Sequence, residues 1–360
     1  MHNISCVENT LQTMLEKPFN QVDSLVLSQF CYTHLNGLAP KPEDAAPPVL
    51  LKNLLLAEHF KTMFDGLLAP ESNKALLMAL AASPRYREIG LHEYVDLRND
   101  NTIEQFAGMT FFLPDGTLYL AFRGTDTSFL GWKEDFNMAY VCPVPSQTAS
   151  LVYLHGVAEK HQNRLRLGGH SKGGNLAVYA AMKSEDAIKA RIEAIYSHDG
   201  PGFQKKLLLQ SDFAAVQTRI QKTLPQSSLI GMLLQSNEPY KVVKSAKIGG
   251  LLQHDPFSWE VQDGDFIYQP NLTGAAVYRN TTLDAWLATL TEEQRSKLIT
   301  ALFQIIDASG ATTFADFAEN WQKEIPAMLK ALTQIDKETR DDASEVIKTL
   351  VRISLKNLAP

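Results

Sequence analysis

The chain has 360 residues, 45% of them hydrophobic, enough to bury a large core in one big domain or in a domain with helical additions. A net charge of -6 and the lack of any long Lys/Arg block exclude nucleic-acid binding through an electrostatic footprint, and the pair Lys205–Lys206 reads as a solvated helix face. Cys6, Cys31 and Cys142 are too scattered for zinc or redox spacings, residues 1–10 lack the series of a secretory leader, and the most apolar run, 75–82, is too short to span a bilayer. These features point to a cytoplasmic globular protein that needs no metal or other cofactor.

Residues 1–82 read as a helical N-terminal extension with a packing role. Asp23 is placed to cap a helix whose apolar positions include Val26, Leu27 and Phe30, and Pro40, Pro42, Pro47 and Pro48 punctuate the link to the next one. From Leu91 the pattern changes to strands, with 105–112 and 117–122 joined through Pro114, Asp115 and Gly116, a hairpin signal. Helices near 131–138 and 147–161 follow, then a strand at 165–168, a helix after Ser171, and strands at 192–197, 219–223 and 240–245. Such alternation over 83–280 predicts an α/β fold, a mainly parallel sheet flanked by helices. Beyond about Thr281 the strands stop, and Thr291–Glu292–Glu293–Gln294 reads as a capping box opening a helical C-terminal extension, 281–360.

The chemistry concentrates at Gly169–His170–Ser171–Lys172–Gly173, a Gly-x-Ser-x-Gly pattern that makes Ser171 a candidate nucleophile. Alone, so short a pattern is as often an ordinary turn. Here 163–167 alternates polar and apolar residues before it, and Leu176, Ala177, Ala180 and Ala181 recur at helical spacing after it, which is the strand–turn–helix context the motif requires. Gly169 and Gly173 let strand and helix approach closely. The helix N-terminus then offers the backbone N–H of Lys172 to a developing oxyanion. A second donor has to come from another loop, and the strand ending in Gly124–Thr125 offers a backbone N–H or the Thr125 hydroxyl.

The run Ala121–Phe122–Arg123–Gly124–Thr125, followed by Trp132–Lys133–Glu134–Asp135–Phe136 and by Gly169–His170–Ser171–Lys172–Gly173–Gly174, resembles the class-three, fungal-type lipases of the α/β-hydrolase superfamily. It is closer still to a bacterial family of uncharacterised lipase-like proteins, called Mbeg-like. That family also resembles this chain at Leu25–Val26–Leu27–Ser28, Pro84–Arg85–Tyr86, His198–Asp199–Gly200–Pro201–Gly202–Phe203 and Gln253–His254–Asp255, so the likeness runs from roughly Asp23 to Trp259. The resemblance implies an α/β-hydrolase fold, with Thr125 in the oxyanion hole, Asp135 pinning its loop and Trp132 packed beneath that loop. Read without the family, Trp132 is an ordinary core aromatic and Asp135 a helix-surface acid.

A serine nucleophile needs a histidine base, and nine are present. His2, His34, His59 and His92 precede the expected core, and His155 and His161 lie on a helix before the serine. In α/β-hydrolases the histidine comes last in the chain, which selects His254; His170 reads as packing against the sheet, and His198 as the neighbour of a better candidate acid. The common position for the acid is the loop after 219–223, but 224–235 contains neither Asp nor Glu, a departure from the class-three pattern. Asp199 is put forward instead, at the carboxyl end of an earlier strand. Asp255, adjacent to the histidine, and Glu238 remain as alternatives.

The expected activity is hydrolysis of a carboxylic ester, small-molecule or lipid, through an acyl-enzyme. The segments 204–213 and 229–234 could form a lid or acyl-binding wall, or simply pack on the sheet. A thioesterase or peptidase would use the same triad, and a catalytically silent scaffold whose helical ends bind a partner is the reading from another class.

Overall fold

The computed structural model describes residues 3–278, 280, 281, 291–308, 330, 331, 333–335, 337 and 339–341. Helices α1 (Asn3–Asn9), α2 (Gln21–Phe30), α3 (Phe60–Phe64) and α4 (Pro70–Ala82) precede most of the sheet. Strands β1 (Val49–Leu50), β2 (Gly90–Asn99), β3 (Glu104–Phe112) and β4 (Leu118–Phe122) form its first, antiparallel edge. Then come α5 (Phe129–Asn137), α6 (Pro145–Lys160), β5 (Leu165–His170), α7 (Lys172–Lys183), α8 (Asp186–Lys189), β6 (Ile192–His198), α9 (Lys205–Leu208), α10 (Ser211–Gln217), β7 (Ile220–Pro225) and β8 (Tyr240–Val243). The short pieces β9 (Val261–Gln262), β10 (Asp265–Phe266) and β11 (Tyr268–Gln269) and the helix α11 (Glu292–Asp307) follow.

Nine strands pair in the order β1-β2-β3-β4-β5-β6-β7-β8-β11, and β4 through β8 run parallel. The expected α/β sheet flanked by helices is therefore present. Because the parallel strands follow one another in chain order and crossovers are right-handed, their connecting helices must all fall on one face. Leu118, Leu120 and Phe122 of β4 point to that face, into a core with Leu154 of α6, Leu176 and Ala180 of α7 and Phe213 of α10. The opposite face would be bare without another layer. Tyr119 and Ala121, the alternate residues of β4, pack there with Leu25, Val26 and Phe30 of α2 and Leu76 and Leu80 of α4.

The β3–β4 hairpin turns at Gly116, whose φ of 79° suits glycine. The short strands β9 to β11, of which β11 pairs with β8, are not expected from the sequence, and two N-terminal details also differ from it. The two-residue edge strand β1 sits within the segment read as helical, too short to carry a periodicity. Asp23 is not the N-cap of α2: Asn20 is, its side chain accepting from the N–H groups of Val22 and Asp23, while Asp23 accepts from Asn20 N at 2.8 Å and closes a capping box. Asp23 also takes Arg85 at 2.7 and 2.6 Å and Tyr86 Oη at 2.6 Å, which locks α2 to the segment after α4.

The Thr291 capping box is formed, and α11 packs Ile299 and Phe303 against Phe129, Trp132 and Phe136 of α5. The rest of the C-terminal extension lies mostly outside the described residues. No described helix is long and apolar enough to cross a membrane.

Candidate active site

Ser171 stands between β5 and α7 with φ 59° and ψ −134°, a backbone state that costs a non-glycine residue free energy and holds only where the surroundings over-determine it. They do so here. A Cβ at Gly169 would overlap the backbone of Gly173, and one at Gly173 would overlap the Phe122 carbonyl of β4, so glycine at both positions lets strand, turn and helix meet. Ser171 N donates to His198 O at 2.9 Å and Gly174 N to Ser171 O at 2.9 Å. As the first residue of α7, Lys172 has a backbone N–H with no carbonyl behind it in the helix.

His254 closes a short helical turn, Leu252–His254, and its Nδ1 donates to Asp199 Oδ2 at 2.6 Å. Asp199 follows β6 and is fully buried, with φ 49°. Its other oxygen, Oδ1, accepts from Ser228 Oγ at 2.6 Å and Gly231 N at 3.1 Å. Both donors belong to the loop after β7, the common position for the acid. That loop holds the carboxylate instead of supplying it, and a Cβ at Gly231 would overlap Asp199 Oδ1. Nε2 of His254 makes no direct hydrogen bond to Ser171.

The other candidate acids are engaged elsewhere. Asp255 accepts from Lys247 Nζ at 2.6 Å and caps Phe257 N, and Glu238 pairs with the buried Lys222 at 3.2 Å.

His170 does more than pack on the sheet. Its Nε2 donates to His254 O at 2.8 Å, its ring lies 4.6 Å from the His254 ring, and Tyr32 Oη reaches its Nδ1 at 3.2 Å. Burial first, then the neighbouring His254, holds its pKa well below the ordinary imidazole value, so it braces the histidine loop as a neutral ring. Gln253 fixes the same loop, accepting from Ser227 N at 2.7 Å and donating to Lys247 O at 2.7 Å. His198 is spent on Ser24 Oγ at 2.9 Å and Thr223 Oγ1 at 2.7 Å, its pKa pushed down to about 3 by burial.

The loop after β4 abuts the serine: a Cβ at Gly124 would fall 2.9 Å from Ser171 Cβ. Arg123 anchors this strand end through Asp96 at 3.1 and 2.8 Å. Thr125 Oγ1 lies 2.5 Å from Asp135 Oδ2, so Asp135 is turned toward the loop and is not a free surface acid. Trp132 packs with Phe129, Ile299 and Phe303 toward α11. The Lys172 side chain is completely buried, Nζ binding Glu134 Oε2 at 2.8 Å and Gln105 O at 3.0 Å, and Glu134 also accepts from Gln105 N and Ser146 N. This ion pair ties the first turn of α7 to α5; removing one partner of such a pair costs about 3–5 kcal/mol.

Sequence reasoning missed Tyr32, Gln105, Glu134, Ser228 and Gly231. Each acts by touching a site residue from a distant part of the chain; only Glu134 lies in a quoted motif run, and nothing in that run marks it as the partner of Lys172. Among the described residues no group of three or more His, Cys, Asp or Glu side chains is placed to hold a metal ion.

Burial raises the Asp135 pKa from the usual carboxyl value of 3.8 to about 6, against the lowering pull of Lys172. A folded-state pKa above the unfolded one means a contribution to stability that is full below about 3.8 and lost as pH rises through about 6. Relative to Asp135→Asn, the wild type should therefore be less stable at pH 8 than at pH 4 by about 2–3 kcal/mol. Urea midpoints of both proteins at the two pH values measure this; equal differences would mean an ordinary, solvated carboxylate.

A family model described as Mbeg1-like matches residues 80–304, more than half of the chain. The chain belongs to the Mbeg1-like family. No curated protein sequence matches it. Among solved structures, the Rhizomucor miehei lipase propeptide complex is 16% identical over 50% of this chain and 62% of its own, with a TM-score of 0.34. M37 lipase is 14% identical over 57% and 68%, with a TM-score of 0.35. The Lip2 lipase of Yarrowia lipolytica is 13% identical over 52% and 76%, with a TM-score of 0.31. This Mbeg1-like chain thus spans about three fifths of the length of the Rhizomucor lipase chain. Its α/β fold rests on its own strand order, and its family on the matched sequence.

Proposed function

We propose that this protein is a serine hydrolase that cleaves carboxylic esters through an acyl-enzyme. The observation that carries the proposal is the 2.6 Å bond from His254 Nδ1 to the buried Asp199, made beside a strained, glycine-flanked Ser171. With Nδ1 committed to the carboxylate, Nε2 is the nitrogen free to accept a proton, and Asp199 stabilises the imidazolium that results. Ser171 Oγ attacks the ester carbonyl as its proton passes to His254. The negative charge that develops on the carbonyl oxygen is met by the Lys172 N–H and by Thr125. Collapse of the tetrahedral intermediate expels the alcohol, which takes its proton from His254, and water then repeats the sequence on the acyl-enzyme.

The fully buried, fully hydrogen-bonded Asp199 favours an assembled site over a silent scaffold, since a buried carboxylate without a working partner is a standing cost. Free thiols at Cys6, Cys31 and Cys142 fit a cytoplasmic setting. A panel of matched oxygen esters, thioesters and amides of increasing acyl length tests the substrate class. Oxygen esters should show the highest kcat/KM; a preference for thioesters or amides would reassign the leaving group while keeping the triad, and no turnover of any would support the scaffold reading.

A further inference from the structure

A hydroxyl has one hydrogen to donate. Thr125 Oγ1 lies 2.5 Å from Asp135 Oδ2. While that carboxyl is ionised it holds the threonine hydrogen, and Thr125 has none left for an oxyanion. With the carboxyl neutral the polarity reverses: the acid O–H donates to Oγ1, and the threonine hydrogen is free to turn toward the serine.

The surroundings of Asp135 disfavour the ionised form. Its Oδ1 is buried without a hydrogen-bond partner. Lys172 Nζ, from α7, is 3.9 Å from Oδ1 but is already bound to Glu134 Oε2 at 2.8 Å and to Gln105 O at 3.0 Å, so its charge is largely compensated by the neighbour of Asp135 on α5. The other titratable groups facing Asp135 are His254, from the histidine loop, and Tyr32, which follows α2. Burial, with Glu134 beside it, outweighs the lowering pull of Lys172, of the Thr125 hydrogen bond and of His254, in the direction that keeps a proton on the acid. The reaction adds to this preference, because an oxyanion one hydroxyl away repels an ionised carboxylate.

We propose that Asp135 carries a proton in the competent site and donates it in a hydrogen bond to Thr125, which makes the threonine hydroxyl an oxyanion donor. The proposal rests on the serine-hydrolase reading. It makes Asp135 a positioning residue whose charge state matters more than its shape, and it sets two opposite pH demands: His254 has to be deprotonated to act as base, while Asp135 has to stay protonated. Turnover should fall as pH rises past the titration of Asp135, down to a floor set by backbone donors.

The test measures kcat and KM for a soluble ester from pH 5 to 9 in the wild type, Asp135→Asn and Thr125→Val, together with carbon NMR of Asp-labelled protein. The Asp135 carboxyl signal, identified by its loss in Asp135→Asn, should titrate near pH 6. The ratio of wild-type kcat to that of Asp135→Asn should drop by about ten- to a hundredfold between pH 6 and 8 with KM little changed, a size set by the usual worth of one oxyanion donor. In Asp135→Asn the amide donates to Oγ1 at every pH, so only the His254 dependence should remain and its kcat at pH 8 should exceed that of the wild type. Thr125→Val should sit at the floor throughout. Titration of the Asp135 signal at or below about pH 4, the ordinary range, would overturn the proposal, as would parallel pH profiles for wild type and Asp135→Asn. Loss of the hydrolase reading looks different: no Ser171-dependent turnover in any variant, which removes the catalytic half of the proposal as well.

Discussion

Ser171→Ala should abolish ester hydrolysis, lowering kcat by about a millionfold, toward what oxyanion stabilisation and binding alone provide. The substitution removes a single hydroxyl at a position that is 7% exposed and leaves the Ser171 N bond to His198 O in place, so the thermal midpoint should stay nearly unchanged. Single-turnover kinetics with a chromogenic ester, alongside a thermal melt, measure both. Residual turnover within a hundredfold of the wild type would remove Ser171 from the chemistry.

Asp199→Asn should lower kcat by about ten-thousandfold in a folded protein. The reason lies in how the side chain is held. Oδ1 accepts from Ser228 Oγ and from the Gly231 N–H, and the latter cannot turn round to become an acceptor. An asparagine has to place its carbonyl oxygen there, which aims its NH2 group at His254 Nδ1. The ring can meet a donor only by taking the tautomer with its hydrogen on Nε2, the nitrogen that must accept the serine proton. Asp255→Asn, which loses a contact to Lys247 and a cap on Phe257 N, should be far milder. Equal losses from the two substitutions would contradict the assignment of the acid.

Much of the fold was legible because it is written in local pattern. The Pro114–Gly116 turn, the strand before Ser171 and the helical spacing of Leu176 to Ala181 each reflect a period or a turn preference that acts within a few residues. Chain order also led to His254 and Asp199, which the structure brings to 2.6 Å of each other across 55 positions. What chain order could not convey is how the loop after β7 contributes. Its first ten residues, 226–235, lack a carboxylate, and the sequence alone does not reveal that Ser228 and the Gly231 N–H turn back to satisfy one from β6. The same holds for Lys172, whose sequence context points only to its backbone N–H; its side chain is committed to Glu134, a partner 38 positions away. Asp135 read as a surface acid from its neighbours, and only the approach of the 124–126 loop turns it inward. N-terminal residues read as a packing element have a physical reason to be there, since right-handed crossovers leave one face of the sheet for α2 and α4 to cover.

The central claim, an activated serine at 171, is tested most directly by reacting the purified protein with a fluorophosphonate and mapping the adduct by peptide mass spectrometry. The account predicts one phosphonyl group per chain, on Ser171, with labelling lost in Ser171→Ala and strongly slowed in Asp199→Asn. Folded wild-type protein that takes no label, or takes it at another residue at the same rate in all three proteins, would contradict it.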